Sequence, residues 1–356
     1  MPEAFRNGVS DVALPEIPYY DVGREGPVAL VDLAADHLGQ IVTEARRHYG
    51  GLALRVGDRA TAQWLTRNGN PYRQEIAEIA RRILIPGAFL LNLSYEWSCT
   101  SAAGPDPGGP GTRLMRTLDW PLDGIGRTVV VARHETAAGP YFNVTWPGYV
   151  GVLTAMAPGR FAAAINQPPA GRISGSCWFD WAIHRTGVWR RSALPPAHLL
   201  RQVFEQCADF QEAKSALTET PLCIPAFFTL AGADEEGVVI ERQEHRACVH
   251  AAPFSISNHW IGFPMGGYHD RGTDTVGRRA AMDQVRDEVA NDFTWVTPPI
   301  LNRKTRVAVI ASARRETLLV QGWEREQPAT RVLSLRERLD GDTAQTSPAP
   351  TLAAPA

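Results

Sequence analysis

The chain has 356 residues, a formal net charge of −2 and 44% hydrophobic residues. That is enough apolar material for one large core or two modest ones, and near-neutral charge argues against broad nucleic-acid binding, which needs a basic surface. The opening thirty residues lack a basic start followed by an apolar stretch, and no run approaches the roughly 18 apolar residues of a membrane span, so a cytoplasmic protein is expected. The five cysteines, Cys99, Cys177, Cys207, Cys223 and Cys248, are odd in number and form no CxxC pair, which disfavours a disulfide framework. No histidine pair sits near a cysteine with ligand spacing, and no GxGxxG or GxxxxGK[ST] loop occurs. No metal or other cofactor is therefore expected, and the chemistry falls to side chains.

Taken in chain order, residues 27–33 (PVALVDL) read as a strand. The next stretch places Leu38, Ile41, Val42 and Ala45 at helical spacing and ends at Gly50–Gly51, a helix stop. In NPYRQEIAEIARRIL, Asn70 is a candidate N-cap with Pro71 at the first helical position; Pro86–Gly87 then interrupts, and AFLLNLSYEW is apolar enough for a buried helix. Residues 1–98 thus form a mostly helical segment. From residue 99 the texture changes to short β-rich runs between Gly, Pro and Asp turns, among them RLMRTLDW, RTVVVARHE, YFNVTW, RFAAAINQ, AFFTLAGA, GVVIERQ and TRVAVIASA. Helical patterns return at about 196–218 and 276–292, so strands and helices cluster separately, as in a layered α+β domain over 99–325. RRETLLVQGWERE reads as a charged edge strand, and residues 326–356 as a polar tail whose Pro/Ala/Thr end is disordered.

Cys99 follows an apolar run and precedes small residues, with Arg116 and Asp119 close behind in RLMRTLDW. A permanently cationic arginine stabilises a thiolate, and an aspartate can orient an amine. On a strand, positions 116 and 119 fall on opposite faces unless the strand ends or bulges between them; Pro121 permits an ending. Taken alone, the pattern is weak and favours the plainer reading of a surface ion pair near a buried thiol. Ten tryptophans are many for this length, and GSCWFDWAIHRTGVW gathers Trp178, Phe179, Trp181 and Trp189 as a candidate substrate pocket or as plain packing. Asp180 among these rings is a pocket acid or a hydrogen-bonded structural residue, and His269 reads as structural.

CTSAAG and RLMRTLDWP resemble the start of the catalytic chain in cysteine N-terminal-nucleophile hydrolases related to acid ceramidase and N-acylethanolamine acid amidase. The similarity continues through GYVGVLTAMAPGRFAAAINQ, SISNHW, GRRAAM and PPILNRKTRVAVI, over roughly residues 20–322; bile-salt hydrolases and penicillin V acylase are more distant kin. The resemblance implies a four-layer αββα sandwich. It further implies that Cys99 is the nucleophile, freed as an N-terminus by self-cleavage between Ser98 and Cys99. Arg116 and Asp119 would stand beside it, the Asn258 side chain and the Asn166 backbone N–H would form the oxyanion hole, and Arg278 (or Arg271, which has the closer spacing) would be the late active-site arginine.

The implied function is a self-processing amidase acting on small-molecule N-acyl amides through a thioester, its two fragments remaining together as a heterodimer. The alternatives are an acyltransferase, a bile-salt or penicillin-type amidase, or an uncut acyl-ligand-binding homologue. Two departures stand out: Gln167 occupies the place of a family glutamate, and Thr117 that of an asparagine.

Overall fold

The computed structural model describes residues 13–336, except 175, 177, 178, 181, 182, 184–186, 265, 266, 270, 288 and 289. Trp178, Trp181, Cys177 and the tail beyond 336 lie outside the described residues.

The first segment opens with β1 (Tyr19–Gly23), then α1 (Ala29–Leu33), α2 (Ala35–Tyr49), α3 (Gly51–Arg67), α4 (Arg73–Ile83) and α5 (Ala88–Asn92). The strand expected at 27–33 is instead a helical turn leading into α1: Pro27 starts a turn at the position where its missing N–H is harmless, and Leu30 and Val31 are buried. The strand that does form, YYDVG, pairs in parallel with a partner about a hundred residues downstream. Gly50 ends α2 at φ 78°, and α4 begins two residues later than expected, since Asn70 caps a turn by accepting from the Tyr72 amide at 3.0 Å.

Two sheets follow. β4 (Val130–His134), β5 (Tyr141–Thr145), β6 (Thr154–Ala157), β7 (Phe161–Asn166), β8 (Ala226–Gly232), β9 (Gly237–Arg242) and β10 (Ala247–Ala251) join β1 in an eight-stranded sheet, antiparallel apart from the β1–β4 pair. β11 (Phe254–Ile256), β2 (Ser98–Pro105), β3 (Thr112–Asp119), β12 (Thr305–Ser312) and β13 (Thr317–Glu324) line up in that order in the second, with β14 (Gln327–Pro328) and β15 (Leu333–Ser334) both pairing with β13. β2 and β3 pack face to face with β7 and β8, and their alternate residues Cys99, Ala103, Leu114 and Leu118 enter the central core. Helices α6 (Pro196–Gln206) and α7 (Phe210–Glu219) cover the first sheet's outer face. Helix α8 (Thr275–Val285) covers the second through Met282, which packs on Ala102 and Met115. The result is the four-layer αββα arrangement.

β13 is not an edge, because β14 and β15 flank it, and the packed chain runs past 325: Leu333 and Leu335 are buried in the core. The helical first segment is tied to the sandwich by a partly buried polar cluster. Arg201 on α6 pairs with Glu75 on α4 at 2.5 Å and with Glu205 at 2.7 Å; Tyr72 donates to Glu205, and Asn70 meets His198 at 3.0 Å. No helix among the described residues is long and apolar enough to cross a membrane.

Candidate active site

The pleat of β2 sends successive side chains to opposite faces. Cys99 and Ser101 point into the space between the sheets; Ser98, Thr100 and Ala102 point toward α8. β3 runs antiparallel with Cys99 opposite Leu118 and Ser98 opposite Asp119, so Arg116 lies on the inner face and Asp119 on the outer one. The bulge considered at 116–119 occurs instead on neighbouring β12, where register shifts between Thr305 and Val307. Arg116 and Asp119 thus reach Cys99 from opposite sides of the sheet.

On the inner face, Arg116 Nη2 donates to Cys99 Sγ at 3.0 Å and to the Ile165 carbonyl at 3.1 Å, while Nη1 donates to Thr154 Oγ1. The thiol itself faces the Ile165 carbonyl at 3.7 Å. Cys99 has no exposed surface. Burial pushes its thiol up to about 11, opposed by Arg116 and Arg278 and assisted by the Asp119 charge.

On the outer face the contacts are to the Cys99 main chain. Arg278, wholly buried on α8, donates through Nη1 to the Cys99 carbonyl at 2.8 Å and to Thr100 Oγ1 at 3.0 Å, and through Nη2 to Asn258 Oδ1 at 2.8 Å. Asn258 Oδ1 also accepts the Cys99 amide N–H at 2.9 Å, and its Nδ2 donates to the Gln167 carbonyl at 2.7 Å. Asp119 Oδ1 accepts from Thr305 Oγ1 at 2.9 Å and its Oδ2 from Asn302 Nδ2 at 2.8 Å. Ser98 Oγ stands 3.5 Å and Arg278 Nη1 3.7 Å from the same Oδ2. Burial raises the Asp119 pKa, while Arg278 and the two hydrogen bonds resist.

The structure therefore brings Ser98, Cys99, Arg116, Asp119, Asn258 and Arg278 together. The Asn166 side chain is committed elsewhere, accepting from Ser101 Oγ at 3.1 Å and donating to the Ile256 and Ser257 carbonyls. Arg271 is not in this cluster: its Nη1 donates to the carbonyls of Tyr95 and Trp97, just before Ser98. Thr154, the Ile165 carbonyl, Thr275 (which accepts the Asn258 amide at 2.8 Å), Asn302 and Thr305 went unpredicted. Thr154 and Ile165 left a trace inside GYVGVLTAMAPGRFAAAINQ, and Asn302 and Thr305 inside PPILNRKTRVAVI.

Chemically, the cluster presents a thiol beside a cation, one peptide bond from the Ser98 carbonyl, with polar groups fixed on the intervening amide. That arrangement suits attack of sulfur on a carbonyl and transfer of a proton to nitrogen. A cavity of about 540 Å³ adjoins it, walled by Trp64, Leu93, Val188, Trp189, Ile224 and Trp260, with Gln167, His269 and Arg271 among its polar lining. Tyr95 and Glu96, shortly before Ser98, also line it, whereas Cys99 is not in its lining and is sealed from solvent. Of the four aromatic residues read as a pocket, Trp189 lines this cavity. Phe179 does not: it is 59% exposed at the surface, where aromatic content alone gave no direction.

No family model matches the chain. It is 29% identical over 215 residues to the probable acid ceramidase of Caenorhabditis elegans, covering 54% of this chain and 52% of the relative. It is 32% identical over 203 residues to the acid ceramidase of Bos taurus, covering 50% and 48%. The N-acylethanolamine-hydrolyzing acid amidase of Caenorhabditis elegans is 25% identical over 171 residues, 47% and 46% of the two chains. Among solved structures, a Caenorhabditis elegans ortholog of that amidase aligns at TM-score 0.47 and 21% identity, over 61% of this chain and 93% of its own. A conjugated bile acid hydrolase from Clostridium perfringens aligns at TM-score 0.41 and 11% identity, over 67% and 93%. The chain spans about half the length of the curated relatives it matches. Over about half of its length the chain is thus similar in sequence to acid ceramidases and to an N-acylethanolamine-hydrolyzing acid amidase.

Proposed function

We propose that this chain is a self-processing cysteine amidase that hydrolyses N-acyl amides through an acyl-enzyme thioester on Cys99. The observation that carries the reading is the bracketing of Cys99: a guanidinium 3.0 Å from its sulfur, and Asn258 and Arg278 fixed on its amide nitrogen and carbonyl.

In the first reaction Cys99 Sγ attacks the Ser98 carbonyl carbon, the thiol proton passes to the amide nitrogen, and the C–N bond breaks. Ser98 is left as a thioester on Cys99, and water hydrolyses it to a Ser98 carboxylate and a free thiol. The product carries its own base, since an α-amine titrates near about 7.7–8.0 in model peptides. In turnover this amine takes the thiol proton, the thiolate attacks the substrate carbonyl, and the proton passes to the departing amine; water then cleaves the thioester.

Asn258 Oδ1, already on the Cys99 nitrogen, would orient the amine, with Asp119 on the same side. Arg116 would stabilise the thiolate that burial opposes. For the oxyanion, the donors proposed are Asn258 Nδ2, now held by the Gln167 carbonyl, and the backbone N–H of Asn166. Residues 1–98 would stay bound to the sandwich through β1 and the Arg201 cluster, giving a heterodimer of fragments. The apolar cavity walls would take the acyl group of a small-molecule amide.

Intact mass tests this directly: the purified protein should appear as two chains split at Ser98–Cys99, and Cys99→Ala should remain one inactive chain. A full-length wild-type protein that nonetheless hydrolyses N-acyl amides would refute the amine-base mechanism.

A further inference from the structure

The cavity holds a cation that its own walls do not neutralise. Arg271 lines it and spends only Nη1 on the protein, donating to the carbonyls of Tyr95 at 3.2 Å and Trp97 at 3.3 Å; its other N–H groups donate to no described residue. No carboxylate among the described residues lies within ion-pair distance of it. The two carboxylates in the same lining are engaged elsewhere: Glu244 pairs with Arg191 at 2.5 Å, and Glu96 accepts the Tyr49 hydroxyl at 2.7 Å. His269 lines the same cavity as Arg271. Its Nε2 is fixed at 2.8 Å by the buried Asp180, which also accepts the amides of Ile173 and Ser174 and the Ser174 hydroxyl.

A partly buried guanidinium with no carboxylate at ion-pair distance among the described residues is incompletely solvated, and a carboxylate ligand would engage it through paired N–H donors. The strain registers on Arg271, whose pKa burial lowers to about 10 even though Cys99 and Glu96 favour its charge. Arg271 also stands close to the chemistry. Its Nη1 holds the carbonyl of the residue before Ser98, and its own carbonyl is 3.5 Å from Arg278 Nη2. A group bound there sits near the scissile amide, in a cavity whose lining also includes Trp64, Trp189 and Ile224, apolar residues that suit an acyl chain.

We propose that Arg271, with His269 beside it, forms a carboxylate-binding subsite, so that the preferred substrate is an N-acyl amide whose amine part carries a free carboxylate, as in an N-acyl α-amino acid. The inference rests on the amidase reading for turnover but not for binding.

The test compares N-lauroylglycine with its neutral twin N-lauroylglycinamide and with N-lauroylethanolamine, all with one acyl chain, on the self-cleaved protein. The glycine conjugate should be favoured in kcat/KM by at least about tenfold, the scale of one charge-assisted contact. Arg271→Met should abolish the preference mainly by raising KM for that substrate, and Arg271→Lys should keep part of it. Because Arg271 also holds the segment before the cut, binding is measured in parallel on uncut Cys99→Ala and on Cys99→Ala/Arg271→Met. Fluorescence of the cavity tryptophans Trp64, Trp189 and Trp260 provides the signal. Lauroylglycine should bind more tightly than lauroylglycinamide to the first chain and no more tightly to the second.

Equal binding and turnover of the two glycine compounds overturns the subsite, as does a preference that survives Arg271→Met. Discrimination in binding with no amide hydrolysed by wild type refutes the amidase reading and leaves the subsite standing.

Discussion

The two faces of β2 around Cys99 are built on different principles. The inner face is an apolar core into which one cation intrudes: Arg116 touches sulfur, a hydroxyl and a carbonyl, and pairs with no carboxylate among the described residues. The outer face is a closed polar network in which Arg278, Asp119, Asn258, Asn302 and Thr305 satisfy one another and grip the main chain of Cys99. The pleat of a strand lets one residue use both environments. Its side chain receives a cation in low dielectric, where charge matters most, while its peptide nitrogen is held by geometry.

Substitutions can separate the two faces. The largest effect belongs to the residue they share: Cys99→Ala should leave the chain uncut and lower kcat by more than about 10⁴, measured by mass and amide turnover. Arg278→Met should be the most costly for the fold, about 3–5 kcal/mol by chemical denaturation, because it takes from the buried Asp119 carboxylate its nearest cation and leaves only the weaker influence of Arg116. Arg116→Met strands no carboxylate. It should cost only about 1–3 kcal/mol, yet slow turnover by about 10²–10³. Equal stability losses for these two arginines would erase the distinction between the faces.

Gly272 sharpens the outer side. It holds φ +74°, and a Cβ there would come within 2.7 Å of Ser98 Oγ and 2.8 Å of Arg278 Nη2. Gly272→Ala should slow self-cleavage about tenfold, the equivalent of ~1.4 kcal/mol in the barrier, in a time course by mass. Adding Ser98→Gly, which removes the Ser98 Oγ and Cβ atoms but leaves Arg278 Nη2 in the way, should restore part of the rate.

The smallest effect is in pH. The folded pKa of Asp119 is raised, so between its unfolded value and the higher folded one the native state holds the extra proton, and stability falls as pH climbs through that window. Asp119→Asn should remove that contribution, so its melting temperature, compared with wild type across the acid range, should decline less steeply.

How much could be read in advance varied with how local the information was. Most strands of both sheets announce themselves by short β-branched and aromatic runs between turns, whereas Arg116 and Asp119 stand out only through the resemblance, their spacing alone reading as an ion pair. YYDVG passed unnoticed because five residues carry little pattern and its partner, β4, is far away in sequence. The helical turn at 27–33 was misread because two valines outweighed the proline that starts it. The groups that hold Asp119 lie some 183 and 186 residues away, and a hydrogen bond across that distance leaves no periodicity to detect. The cavity was legible only through Trp189, since its polar wall gathers residues from segments as separate as Glu96 and His269.

The parallel pairing of β1 with β4 has a consequence for how such a molecule ages. In the uncut chain, β1 and the helices behind it are tethered to the sandwich, so their docking is unimolecular. Once the Ser98–Cys99 bond is cut, as proposed, the same docking becomes an encounter between two polypeptides, and recovery from unfolding depends on their concentration. The cut protein should therefore refold from denaturant poorly when dilute, and better with rising concentration, while the Cys99→Ala chain refolds independently of dilution. Maturation would then be a one-way step in folding as well as in chemistry.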